Sequence, residues 1–353
     1  MTLRVGVNAG VLHRGVSGSA TAVELLIEAI ESLDDVQCSV SAGGSGLRAW
    51  SMPRLIFEDF VVCPIRFRRC DVHVSACNTG LAWPRRAHVV VVHDTMVLDL
   101  PEQFDRMYRW YASWSFGLTL RGADAVVVPS SDTADRVRER WPTCPPILVL
   151  PWPARRHELA PPRRSFPSFT AITVGVTSAH KNQAAAVEAV AIARETSCAD
   201  IRLEVIGPVG NAEEEVLRAL HRFDPGSLWS VRRGPVSESE LAQAYSQSWV
   251  LLQPSEYEGF GLPVAEAGTY ALPVLHSGRG SLVEVNPHGD VGGTRPDMFA
   301  ARMIDLLDLA QYEVASELSR SSAAALSHER FAGGIREVLT RVSSGGRRAR
   351  SRV

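Results

Sequence analysis
Lysine is almost missing from this chain. Of 37 basic residues, Lys181 is the single lysine and all the others are arginine. Such a bias follows genomic base composition, so the surviving lysine is either a chance surface residue or a place where arginine does not serve. A dominant charge sign is also missing: 37 basic side chains face 39 acidic ones, for a formal net charge of −2. That balance removes any global electrostatic case for nucleic-acid binding. No apolar run approaches the roughly 20 residues of a bilayer span. The opening MTLRVGVNAG reads as a strand rather than a signal peptide, which sets the expectation of a cytoplasmic protein. The six cysteines (Cys38, Cys63, Cys70, Cys77, Cys144 and Cys198) form no CxxC pair and no cysteine-histidine zinc spacing. Buried, reduced thiols are expected, and no metal site.

What is present is enough for two folded domains. The chain has 353 residues, 45% of them hydrophobic and 22% charged, against roughly 150 residues per domain. Strand-like apolar runs alternate with helical patterns: a strand at 5–7, a Gly/Ser-rich loop at 13–19, a helix in TAVELLIEAIESL, then strands at 71–75 and in HVVVVHD. The β-branched run suits a parallel sheet covered on both faces. An aromatic segment at 102–120, the strand AVVVPS and a helix from Ser131 complete the first half. LPWPARRHELAPPRRSFPSF then reads as a hinge. The rhythm restarts with AITVGV, a helix at 181–195, LEVIG, a helix at 211–222, a strand near SVRRG, a helix at 237–246 and WVLLQPS. A last helix at 328–342 precedes a basic tail. The expected class is α/β, as two Rossmann-like, doubly wound parallel-sheet domains facing a cleft. The expected boundaries are 1–150, a hinge at 151–168, 169–327, a returning helix at 328–345 and a frayed tail at 346–353.

Two segments of the second half carry chemistry. In EGFGLPVAE, Glu258 and Glu266 flank Gly259, Gly261 and Pro263. Proline suits a first helical position, and the glycines let backbone approach a ligand. The N–H groups of Phe260, Gly261 and Leu262 are then available to a phosphate, while the carboxylates accept from sugar or ribose hydroxyls. An ordinary strand-to-helix turn with a solvated glutamate pair is the plainer reading. Lys181 lies at the matching point of the preceding unit, after a strand whose Gly175 leaves room for a nucleotide. An ammonium there suits a diphosphate. His180 is either a second donor or a helix cap.

Taken in order, these segments resemble the retaining GT-B glycosyltransferases of family four. The resemblance runs through VVVVHDTMVLDLPEQF, RGADAVVVPSSDTADRV, TVGVTSAHKNQAAAVEAV, GPVSESELAQAYSQSWVLLQPSEYEGFGLPVAEA, GSLVEV and HERFAGGIREVL. It implies transfer of a hexose from a nucleoside diphosphate sugar to a hydroxyl acceptor, with retention and no metal or other cofactor. GDP-mannose is the first donor implied, with UDP- and dTDP-hexoses open. The acceptor implied is a glycan, a lipid-linked sugar or a small molecule. Lys181 is implied as the diphosphate ligand, with His180 and Asn182 beside it. Glu258 is implied at the transferred sugar with Gly259, Phe260, Gly261 and Leu262, Glu266 at the ribose, and Glu284 near base or ribose. His93 is implied as catalytic on the acceptor side, with Asp94 a structural partner. Ser17 and Gly18 lie in the loop that in the family approaches donor phosphate or acceptor.

Three departures stand out. His180 replaces the usual arginine, which makes donor binding pH-sensitive near the imidazole's ordinary value of roughly 6.5. Ala271 replaces a glycine and either bears about 1 kcal/mol of left-handed strain or forces another turn. GVSGSATA lacks the usual Gly-Gly-x-Gly-Arg-Tyr wording. The rival readings are a GT-B nucleotide-sugar epimerase or phosphorylase, or a degenerate sugar-nucleotide-binding partner protein. The arginine clusters at 66–69, 85–86, 155–164 and the C-terminus are either solvated faces or a peripheral contact with the inner membrane face. The aromatic segment at 107–114 either packs into the first domain or lines an acceptor groove.

Overall fold
The computed structural model describes residues 2–14, 17–41, 57, 61–80, 86–155 and 169–350. Most of the Pro-rich hinge (156–168), Gly15, Val16 and Arg85 lie outside them, as do the last three residues. The chain divides into two compact units, Met1–Pro153 with His328–Val353, and Ala154–Ser327.

The first unit is built on six parallel strands in the order β2-β1-β3-β4-β5-β6. They are β1 (Leu3–Asn8), β2 (Val36–Ser41), β3 (Val72–Ser75), β4 (Ala87–Val91), β5 (Ala125–Val128) and β6 (Ile147–Val149). Parallel strands must be joined by crossovers, and helices Gly18–Glu31, Arg106–Arg121 and Ser131–Arg140 lie among them. Each of these three helices starts on a polar cap: Ser17 accepts from the Ala20 N–H, Asp105 from Met107 and Tyr108, and Ser130 from Thr133. The all-valine stretches of β4 and β5 are fully buried, against Phe116 and Leu120. The final helix, His328–Arg350, belongs to this unit. Its Phe331 packs on Trp152 at 5.1 Å. A Cβ on its Gly334 would lie 2.5 Å from Leu150, so helix and strand end approach through glycine. The helix continues to Arg350, past the expected end at 345 and into the expected tail.

The second unit has five parallel strands in the order β11-β10-β7-β8-β9. They are β7 (Phe169–Val174), β8 (Ile201–Ile206), β9 (Ser230–Arg233), β10 (Val250–Gln253) and β11 (Val274–His276). From β7 the chain adds β8 and β9 on one side, and then returns across β7 to lay down β10 and β11 on the other. Trp249, Phe299, Met303 and Tyr312 fill the core, with Trp249 and Tyr312 ring centroids 4.0 Å apart. Ser237 and Glu240 form a reciprocal capping box at the Glu238–Gln247 helix, the outcome of the SESE wording. Ala271 adopts φ 51°, so of the two options the chain takes the left-handed residue and bears its strain.

Strands β2, β6 and β11 were not legible in the pattern. β2 alternates polar and half-buried residues, and β6 and β11 have only three residues each. All six cysteines are free thiols, but Cys198 is exposed and only Cys63 and Cys70 are buried. Cys198 occupies the left-handed position that ends the Gln183–Ser197 helix. Among the described residues no helix is long and apolar enough to cross a membrane.

Candidate active site
The reversal between β7 and β10 creates a switch point, where loops leaving adjacent strands diverge and leave a crevice at the strand ends. The two sequence segments singled out for chemistry are the loops that leave those strands. After β7, the chain passes Gly175 at φ 141° and makes a single 3-10 turn over Ala179–Lys181. Asn182 then adopts φ 49°, ψ 39°, and the Gln183–Ser197 helix begins. Lys181 therefore sits in a separate turn before the helix rather than on its first residue. The left-handed Asn182 breaks the helical path between them. A Cβ on Gly175 would be 3.7 Å from Lys181 Cε, so the lysine stem lies across the glycine.

The loop is tied on several sides. Thr177 Oγ1 donates to Glu213 at 2.5 Å, Glu213 pairs with Arg232 at 3.0 Å, and Ala179 N–H donates to Asn211 Oδ1 at 3.0 Å. The Glu256 N–H donates to the His180 carbonyl at 2.7 Å, joining the loop after β10 to the loop after β7.

Across that link, Lys181 Nζ lies 2.5 Å from Glu258 Oε1, and both side chains are largely buried. Gln253 Nε2 at 2.6 Å and Ser255 Oγ at 2.9 Å donate to the same oxygen. Burial works to raise the Glu258 pKa. The charge and hydrogen bond of Lys181, helped by Ser255, outweigh it and hold the carboxyl below its ordinary value. His180 is pushed down to about 4, first by burial and then by the Lys181 charge. In the ligand-free protein the imidazole is therefore neutral near pH 6.5 rather than half-protonated.

Gly261 caps the Leu262–Thr269 helix at φ 95°, ψ 53°, and Pro263 follows in its first turn. A Cβ on Gly261 would be 2.8 Å from Leu282, so glycine is required both by conformation and by space. The Gly261 carbonyl accepts from Val264 and Ala265, and Phe260 is buried beneath the turn that Gly259 opens. Glu266 projects from this helix and accepts from the Tyr245 hydroxyl at 2.9 Å. Burial pushes its carboxyl up to about 7, against the Tyr245 hydrogen bond and the Arg155 charge. Asn182 lines a cavity of about 540 Å³ with Arg218 and Arg222 between the Gln183–Ser197 and Glu213–Phe223 helices. Glu284 is exposed on the short helix Leu282–Val285.

Sequence reasoning missed Gln253, Ser255 and Tyr245. A signal for Gln253 existed, since a lone amide ends the apolar run WVLL. Tyr245 carries no such mark, because its partner is 21 residues away.

The first unit holds the other candidates. His93 is buried after β4, with Nε2 2.6 Å from the Ala76 carbonyl and its ring stacked on Trp152 at 5.3 Å. Burial pushes its pKa down to about 4, so it is neutral and its Nε2–H is committed to the backbone. Asp94 accepts from the Met96 N–H at 2.9 Å. Ser17 is a helix cap and Gly18 opens that helix, with nothing within 4 Å of an added Cβ. In the aromatic helix Tyr111 is buried, whereas Met107 and Trp110 are exposed. Arg66, Arg68 and Arg69 are exposed beside Val61 and Ile65; in the second unit, Arg155 pairs with Glu238 at 2.5 Å. Among the described residues no group of three or more His, Cys, Asp or Glu side chains is placed to hold a metal ion.

Residues 163–322 match the family model of glycosyl transferases group 1, a span that covers most of the second unit. The whole chain is similar in fold to sucrose-phosphate synthase from Thermosynechococcus elongatus, with a TM-score of 0.78 over 97% of this chain and all of that one, at 17% identity. Anabaena HepE, solved with UDP and glucose, has a TM-score of 0.70 over 96% of this chain and 99% of that one, at 14% identity. An 80-residue stretch is 38% identical to O-antigen chain mannosyltransferase B of Escherichia coli. It covers 23% of this chain and about a fifth (20%) of the relative's own length. The fold is GT-B, with its two parallel-sheet α/β units. Fold and family match together support a GT-B glycosyltransferase.

Proposed function
We propose that the protein is a retaining hexosyltransferase that uses a nucleoside diphosphate sugar, with GDP-mannose the first donor to test and UDP- and dTDP-hexoses next. The observation that carries this reading is the buried Lys181–Glu258 pair at the β7/β10 switch point. A buried ion pair is a poor stabiliser, since desolvation offsets much of its attraction. A site that must receive a diphosphate beside a polyhydroxyl sugar has use for both charges. Lys181 Nζ has donors beyond the one given to Glu258, and these meet the diphosphate. Among the described residues the N–H groups of Phe260, Gly261 and Leu262 have no protein acceptor, which favours a phosphate at that turn. Glu258 accepts from a sugar hydroxyl, and Glu266, oriented by the Tyr245 hydroxyl, from the ribose diol. The relative whose name is a mannosyltransferase favours mannose, and the structural neighbour solved with UDP and glucose keeps UDP-glucose in play.

In the reaction the acceptor oxygen attacks the anomeric carbon from the face that the phosphate leaves. The bond between that carbon and the phosphate oxygen breaks, and the acceptor's proton passes to that oxygen. Lys181 and the amides near Phe260 stabilise the negative charge that develops there, so no metal is required. His93, neutral with Nε2–H committed, serves the acceptor side by shape and by its Nδ1 lone pair. The acceptor is a glycan, a lipid-linked sugar or a small-molecule hydroxyl, a lipid-linked one being met at the cytoplasmic face of a membrane. The exposed Arg66, Arg68 and Arg69 beside Ile65 favour peripheral contact there.

A thermal-shift panel of GDP, UDP, dTDP and their hexoses tests the donor site. Ligand at 100 times its Kd adds about 2.7 kcal/mol. No response to any nucleotide removes the reading. Epimerised sugar from donor alone, or a requirement for inorganic phosphate and a glycan, replaces it with an epimerase or a phosphorylase.

A further inference from the structure
Glu258 receives its hydrogen bonds unevenly. Lys181 Nζ, Gln253 Nε2 and Ser255 Oγ all donate to Oε1. Among the described residues none donates to Oε2. Gln253 and Ser255 also bond each other, Nε2 to Oγ at 2.9 Å, closing a triangle on the carboxylate. Gln253 is 2% exposed and Ser255 is fully buried. The Gln253 amide has only one workable orientation. Turned over, its carbonyl oxygen would face the carboxylate, two acceptors with no proton between them. In the orientation adopted, Oε1 of Gln253 is buried with no partner among the described residues. A buried acceptor left unpaired is costly, so the donor contact with Glu258 is the interaction that holds this side chain.

We propose that Gln253 is a positioning residue that keeps Glu258 oriented and ionised while Lys181 is occupied by the donor. The inference rests on the reading of Lys181 and Glu258 given above. In the ligand-free protein Lys181 is the main countercharge of Glu258. When a diphosphate arrives, that charge is shared with the phosphates, and a buried carboxylate losing its cation tends to take up a proton. Gln253 and Ser255 are neutral donors that a phosphate does not attract as it attracts an ammonium. They stay on Oε1 and favour the charged form, leaving Oε2 as the acceptor for a sugar hydroxyl. Gln253 lies at the end of β10, and its carbonyl accepts from the Ser277 N–H at 3.2 Å. The donor is thus mounted on sheet rather than loop.

The test is the near-isosteric Gln253→Met, with Ser255→Ala as a second variant that removes the other neutral donor without adding bulk. The Glu258 carboxyl is titrated by ¹³C NMR in glutamate-labelled protein and assigned by its loss in Glu258→Gln. In both variants its titration moves to higher pH than in wild type, and further when GDP or UDP is bound. Binding of GDP or UDP alone changes less than twofold, whereas affinity for the matching nucleotide sugar falls about tenfold, the size expected for a hydrogen bond to a charged group. Its acid limb follows the Glu258 titration. An unmoved Glu258 titration in both folded variants overturns the inference. If the titration moves but wild type binds no nucleotide, the inference about Gln253 as support of a donor site falls with the functional reading, while the coupling of Gln253 to Glu258 stands.

Discussion
The two units use the same architecture and both bury neutral histidines, His276 of the second unit among them, but among the described residues the Lys181–Glu258 pair gives only the second a buried cation and carboxylate at its strand ends. In the first, the buried histidines are neutral and bonded locally. His73 meets the Phe67 carbonyl, His88 meets Ser75, and His93 meets the Ala76 carbonyl. Burial lowers the pKa of all three, and His88 and His93 fall to about 4. In the second, the strand ends hold a buried cation and carboxylate, and a second carboxyl raised to about 7. A parallel sheet covered by helices tolerates both solutions. Neutral groups with backbone partners are cheap and rigid, whereas paired charges are useful only where a charged ligand rearranges them. The comparison therefore locates electrostatic work in the second unit and shape in the first.

The contrast breaks most visibly at Lys181. Lys181→Ala leaves Glu258 buried without its countercharge and is expected to cost about 3–5 kcal/mol of unfolding free energy and more than tenfold in transfer. Urea denaturation and product formation measure the two. His93→Phe keeps an aromatic ring for Trp152 and strands one carbonyl, for about 1–3 kcal/mol. Equal costs at the two positions would end the distinction. Lys181→Arg sharpens it: retained activity would make the lone lysine an accident of composition.

Glu266 comes next. Its folded value of about 7 lies above the ordinary 4.5, so the folded state binds the extra proton. Stability is then fully present below about pH 4.5 and declines as pH rises to about 7, by up to about 3 kcal/mol. Glu266→Gln should flatten that slope in melting temperatures taken from pH 5 to 8, while weakening nucleotide binding. A slope that survives the substitution assigns it elsewhere.

Smaller effects follow. Because burial and the Lys181 charge push the His180 pKa down to about 4 in the ligand-free protein, any change of donor affinity across pH 5.5–7.5 should come from Glu266, so calorimetric titrations should keep it in His180→Gln and lose it in Glu266→Gln. His180→Arg should tighten diphosphate binding several-fold, as a charged hydrogen bond is added. Ala271→Gly should raise stability by up to about 1 kcal/mol, by relieving its left-handed conformation. No gain would mean that the lost methyl packing equals the strain.

Much of the second unit was legible because its signals are local. AITVGV and WVLLQPS read as strands from their β-branched and apolar runs, and Lys181, Glu258 and Glu266 stood out by rarity or by spacing around glycines. The edge strands β2, β6 and β11 were illegible, since β6 and β11 have three residues each and β2 is half exposed. Tyr245, the partner of Glu266, was hidden because contact between separate helices leaves no sequence period. His180 was misjudged for a related reason. An imidazole's ordinary value is a solution property, and burial beside Lys181 is decided by which loops meet.

Taken alone, the sequence determined the alternation of strand and helix, the two-domain scale and the identity of the lone lysine, because each depends on neighbours along the chain. Tertiary structure decided that β10 returns across β7. That single crossing sets residues 77 positions apart within 2.5 Å, turns Glu258 into a depressed carboxyl and Glu266 into a raised one, and recruits Gln253. Charge state and orientation depend on burial and on facing partners, and those exist only once the sheet has formed.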